Sequence, residues 1–236
     1  MSAEPPAASP SVTLDEIFRQ QDSAAAQNVE SSEVVQRRLG FLREATALGS
    51  TILAALPFEA EKQHAIRVLS SDAWSSLIVG VRVGLWGNAP ETFALLRCGV
   101  ETASILAAAV EQRRYKTAVA EFAQRQRQLS FNQAVEALGE AGKRIVRLHG
   151  DLSNFGSHAT GDRMRFASYR YDGEAYDRLG CALDPDASAM ALEYALDLSL
   201  HLLSTLETAY LQDSKIFPGD GKLKSLRKNF AQARAW

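Results

Sequence analysis

Cysteine is nearly missing from this chain of 236 residues, which has only Cys98 and Cys181. That number excludes a disulfide scaffold and suits a reducing compartment, so the chain reads as cytoplasmic. Proline (7) and glycine (15) are scarce as well. Charge of one sign is lacking too. A net charge of −2 excludes a strongly basic whole-domain footprint for nucleic acid. The longest uncharged run is the 14 residues from Ala45 to Phe58, short of the roughly 20 that cross a bilayer, so no membrane span is expected. The opening Met1-Ser-Ala-Glu-Pro-Pro has no basic stretch followed by an apolar one, so no secretory signal is expected. There is no phosphate-binding glycine loop, no cysteine pair and no Gly-x-Ser-x-Gly elbow.

What is present is helix-forming material. The 37 alanines and 28 leucines lose least on entering a helix, and 46% of the chain is hydrophobic, enough for a real core. Pro57, Pro90, Pro185 and Pro218 each lie where a helical pattern starts or stops. Residues 1–11, holding three prolines, read as a disordered tail, residues 12–214 as one helical domain, and residues 215–236 as a basic, helical C-terminal tail. Helices are expected from about Thr13 to Gln27, Ser31 to Leu56, Glu59 to Trp86, Glu91 to Gln112, Arg113 to Leu138, Ala141 to Phe155 and Ala187 to Gln212. Arg37, Arg38, Arg43 and Glu44 are expected on the outside of the second of these. The stretch 163–183 alternates loosely around Asp172-Gly173 and reads as a small hairpin-like excursion. The expected fold is an all-α single-domain bundle of six or seven helices with that one excursion.

The helix Glu91–Gln112 is apolar almost all round, and between Thr92 and Val110 only Arg97 and Glu101 are charged. With Ser104 and Ala108 they fall on one stripe. Either the two form an i,i+4 pair on a wet edge, or they line a polar pocket and offer a cation and a carboxylate to something else. A second concentration is Arg144-Ile-Val-Arg-Leu-His149-Gly-Asp151-Leu-Ser153-Asn154-Phe155-Gly156-Ser157-His158, at a helix end and the loop beyond it, where sites are favoured. His149 and Ser153 share a face one turn apart, and His149 reads as half exposed.

Leu96-Arg97 followed by Glu101, and later Leu152-Ser153 followed by His158, resembles a group of bacterial and phage-associated helical proteins of unestablished activity. Those proteins pair a Leu-Arg-x-x-x-Glu helix with a later Leu-Ser-x-x-x-His segment, a short hairpin and a closing helix. Four residues rather than three separate Ser153 from His158 here. The resemblance implies a polar cluster of Arg97, Glu101, Ser153 and His158 inside a helical bundle, with no reaction attached. More distantly, Arg144 with four residues before His149 resembles the HEPN superfamily of helical ribonucleases. That likeness implies a dimer whose paired Arg and His act on an RNA 2′-hydroxyl.

Metal is not expected. Glu61-Lys-Gln-His64 is the only Glu-x-x-His unit, and His149-x-Asp151 with His158 follows no fixed ligand spacing. No cofactor is implied either. Lys222, Lys224, Arg227, Lys228 and Arg234 in the tail, and Arg163, Arg165, Arg170 and Arg178 among tyrosines, make a nucleic-acid contact conceivable. The expectation is a homo-oligomeric binding or regulatory module. Its pocket is bounded by Arg97, Glu101 and His158, which carry the chemistry, with Ser153 and Asn154 against the ligand. Alternatives are a metal-independent ribonuclease or toxin-like, defence-related effector using Arg144 and His149 or the same cluster, and a protein whose cluster is purely structural.

Overall fold

The computed structural model describes residues 13–56, 61–111, 130–156, 169–171, 174–176, 184–212 and 217–236. Among them the chain is an all-α bundle of eight helices: α1 (Leu14–Glu30), α2 (Glu33–Ala55), α3 (Glu61–Leu85), α4 (Ala89–Glu111), α5 (Phe131–Leu138), α6 (Glu140–Gly156), α7 (Pro185–Leu211) and α8 (Asp220–Arg234). Two three-residue strands, β1 (Tyr169–Tyr171) and β2 (Glu174–Tyr176), pair antiparallel with Tyr169 opposite Tyr176, inside the stretch expected to hold a hairpin. The count exceeds six or seven because the C-terminal segment forms a helix packed into the bundle. α8 lies against α2 and α7 and buries Leu223, Leu226 and Ala233.

Local chemistry explains where several helices begin. Thr13, Ser32 and Ser130 each accept a hydrogen bond at 3.3 Å from a backbone N–H three residues on, and Asp184 does so at 2.8 Å. Each cap satisfies an amide that the first helical turn leaves without a partner. Pro185 follows directly as the first residue of α7, where its missing N–H costs nothing.

α4 and α7 are the centre of the bundle. α4 packs on α3, α5, α6 and α7, and α7 packs on α1, α2, α3, α4 and α8. Leu192, Leu196, Leu202, Leu203 and Leu206 of α7 and Phe93, Leu96 and Leu106 of α4 are fully buried, each contributing about 2 kcal/mol of apolar burial. Ala65–Leu85 and Ala89–Glu111 are long and apolar enough to cross a membrane by length and composition alone. Neither contains a long uncharged run, because Arg67, Asp72 and Arg82 interrupt the first and Glu91, Arg97 and Glu101 the second. In α4, 61% of the apolar window is buried against other helices.

One expectation about the surface is overturned. Arg38 does not face outward from α2 but is wholly buried. Its guanidinium donates to the carbonyls of Ala189 (2.5 Å) and Arg234 (2.8 Å), more weakly to that of Ala233 (3.4 Å), and to Glu193 Oε2 (3.3 Å). The ring of Trp236 lies 4.5 Å from it. Five donors in a planar fork can satisfy several carbonyls at once, which makes burial of this charge tolerable. Desolvation still holds its pKa below the ordinary arginine value, opposed by Glu193.

Candidate functional site

The site grows from the sequence of α4. Arg97 and Glu101 stand one turn apart, and Arg97 Nε donates to Glu101 Oε1 at 3.0 Å. Their stripe does not stay wet along the helix. Ser104, the next residue on it, is buried and donates to the Val100 carbonyl at 2.6 Å, and Ala108 is buried too. Between Thr92 and Val110, Arg97 and Glu101 therefore mark the one place where this helix meets solvent with charge, with side chains 33% and 35% exposed.

α6 packs along α4 and brings a histidine to that place. It is His149: its Nε2 lies 2.8 Å from Glu101 Oε1 and 3.1 Å from Arg97 Nε. Two lone pairs facing each other at 2.8 Å would repel, so the contact to the carboxylate requires a proton on Nε2. With that proton in place, the single Arg97 Nε–H, which points at both Glu101 Oε1 (3.0 Å) and His149 Nε2 (3.1 Å), goes to the carboxylate. Glu101 Oε1 then accepts from both Arg97 and His149, and Nδ1 of a neutral ring is the nitrogen left with a lone pair. The imidazole is 19% exposed, less than the half expected.

Phe131 fixes the ring. It opens α5 and stacks on His149 with centroids 4.2 Å apart and planes at 24°. The corner between α5 and α6 sets this overlap. Gly139 adopts φ 57°, a left-handed conformation open to glycine, and Gly142 lies so close to the Val135 carbonyl that a Cβ there would strike it. Two glycines thus fold a short helix back over the start of α6 and lay Phe131 on His149.

The remaining expected residues are distributed as follows. Ser153, one turn past His149, donates to the His149 carbonyl at 2.7 Å. Asn154 is exposed near the end of α6. Arg144 is not beside His149. At 3.6 residues per turn, five positions separate the two by about 140° around α6. Arg144 lines a cleft of about 530 Å³ with Arg147, Asp151, Tyr194, Arg234 and Trp236, whereas His149 faces α4 and α5. His158, Arg163, Arg165, Arg178 and Cys181 lie outside the described residues, as do residues 1–11 and the side chains of Glu61, His64 and Arg170. Among the described residues no group of three His, Cys, Asp or Glu side chains is arranged to hold a metal ion. Within α8, Lys224 pairs with Asp220 (2.7 Å), Arg227 with Glu207 (2.7 Å) and Arg234 with Glu193 (3.1 Å), which neutralises three of its five cations.

Reading the sequence missed Phe131 as a partner of the site and the cleft on the far side of α6. The signal for Phe131 was its place right after the capping Ser130. Nothing local in the sequence announces the cleft, because its walls come from α6, α7 and the end of the chain. No family model, no curated protein and no solved structure matches the chain.

Proposed function

We propose that the chain is a cytoplasmic helical binding or regulatory module whose working site is the polar cluster of Arg97, Glu101 and His149, with His149 as its proton-handling group. The observation that carries this reading is the convergence of three ionisable side chains from two helices within 2.8–3.1 Å, at a partly exposed point of an otherwise apolar helix. Glu101 holds the Nε2 proton and orients the ring, Arg97 fixes the carboxylate, and Nδ1 accepts a proton or hydrogen bond from the ligand. His158, the expected third member, lies outside the described residues and stays in the proposal as a further proton-handling group, with Ser153 and Asn154 against the ligand. The exposed Val68, Ile78 and Val79 on α3 support self-association as part of the same proposal.

The ribonuclease reading has less support, since Arg144 and His149 occupy different faces of α6. Cleavage of bulk RNA by the purified chain in EDTA, lost in His149→Ala, would restore it. The test of the leading proposal is complementation of a strain lacking the chain with Arg97→Ala, Glu101→Gln and His149→Gln, beside thermal melts of each protein. Loss of the cellular phenotype with Tm within about 3 °C of the parent supports a working site. A retained phenotype with a lowered Tm assigns the cluster to stability alone.

A further inference from the structure

The cleft on the other face of α6 holds its charges in an uneven way. Glu193 and Asp197 on its α7 wall are engaged by arginines: Arg38 at 3.3 Å and Arg234 at 3.1 Å on Glu193, and Arg234 at 3.5 Å on Asp197. On the α6 wall Arg144 and Arg147, one turn apart and both exposed, make no ion pair or hydrogen bond with any described residue. Two guanidinium groups therefore edge a cavity of about 530 Å³, within the range that encloses small ligands.

Aromatic surface faces the same space. Tyr194 lines it, held edge-on against Phe93 at 5.3 Å between centroids. Trp236 lines it as well and is 67% exposed, with the Arg38 guanidinium 4.5 Å from its ring. With one guanidinium against it and two thirds of the residue still exposed, the indole retains surface on which a planar group can stack. Asp151, one turn beyond Arg147, adds a carboxylate without an ion pair to any described residue, suited to accept from an amine or hydroxyl.

We propose that this cleft binds a nucleotide unit, its base stacked on Trp236 and its phosphate held by Arg144 and Arg147. Arginine pairs suit a phosphate because their planar forks meet its oxygens two at a time. Stacking is tolerant of base identity, so the site reads a phosphorylated base without choosing its sequence. The unit has two possible sources, a free mononucleotide or one residue of a strand. This site is separate from the Arg97–Glu101–His149 cluster and stands or falls independently of it.

Titration of the full chain with AMP, adenosine, inorganic phosphate and hexa-adenylate, followed by calorimetry, tests the proposal. AMP is expected to bind at least tenfold tighter than either adenosine or phosphate. Arg144→Ala/Arg147→Ala is expected to weaken AMP by tenfold or more, since charge-assisted bonds are lost, and Trp236→Ala to weaken it severalfold. The two arginines are exposed and unpaired among described residues, so their loss leaves the fold intact, and an unchanged melting curve checks this. Equal affinities for AMP and hexa-adenylate identify the mononucleotide as the source, and tighter hexa-adenylate binding that is lost in the same variants identifies a strand. No binding of AMP or hexa-adenylate overturns the proposal. So does binding that survives Arg144→Ala/Arg147→Ala, or phosphate bound as tightly as AMP.

Discussion

His149 Nε2 stands 2.8 Å from Glu101 Oε1, and the same nitrogen is 3.1 Å from Arg97 Nε, so a residue of α6 closes a pair that α4 alone already makes. The three atoms form a triangle in which the carboxylate oxygen is the common acceptor. All three side chains are partly open to water, so the energy involved is modest. A double-mutant cycle on Glu101→Ala and His149→Ala, read by urea denaturation, is expected to give a coupling of about 1 kcal/mol. Additivity to within about 0.3 kcal/mol would deny that the two groups interact in solution.

The corner between α5 and α6 makes an opposed pair of predictions from one substitution type. Gly142→Ala drives a Cβ into the Val135 carbonyl and is expected to cost about 2 kcal/mol while loosening Phe131 from His149. Gly150→Ala, two turns on in α6, meets nothing within 4 Å and is expected to stabilise by about 0.5–1 kcal/mol, because alanine suits a helix interior better. Chemical denaturation of the two variants side by side checks both. Equal effects would mean that the corner is not close-packed.

Arg38 ties the end of the chain to the bundle. Replacing it with alanine removes the guanidinium that the carbonyls of Ala189 and Arg234 and the Glu193 carboxylate share, and opens a cavity beside Glu193. The expected loss is about 3 kcal/mol, with earlier proteolysis around α8 than elsewhere. Limited proteolysis with mass spectrometry reads the order of cuts. A first cut in α1 rather than α8 would show that Arg38 is not what holds the end.

His201 sets part of the acid sensitivity. Its Nε2 is buried without a hydrogen-bond partner, and desolvation lowers its pKa below the ordinary 6.5. A lowered folded pKa means that the unfolded chain takes up a proton before the folded one does. The stability this group supports is therefore full above about 6.5 and is lost as pH falls toward the folded value. His201→Gln is expected to flatten the decline of Tm between pH 6.5 and 5 relative to the parent. Parallel Tm curves would remove His201 from the account.

Much of the frame was legible in the sequence because it rests on local rules. Thr13 caps the helix that it was expected to open, and in the apolar stripe Leu192–Leu196–Leu200–Leu203–Leu206 of α7 four leucines are fully buried and Leu200 is half-buried. The isolation of Arg97 and Glu101 on an apolar helix likewise marked the pair that the fold brings together with His149. Arg38 was not legible, since its burial depends on carbonyls 151 to 196 positions away, which no periodicity within α2 reveals. For the same reason His149 was paired with Arg144, its neighbour in sequence, while in the fold its partners are 48 and 52 positions back. Phe131 escaped notice because its contact requires the turn at Gly139.

The central claim is that His149 works through its proton and not through its contribution to the fold. His149→Gln separates the two, because the glutamine amide can still donate to Glu101 yet cannot take up or pass on a proton. Complementation of a strain lacking the chain by His149→Gln, at matched protein level and with Tm within about 3 °C of the parent, is the measurement that decides. The account predicts loss of the cellular phenotype. Full complementation by this variant would contradict it.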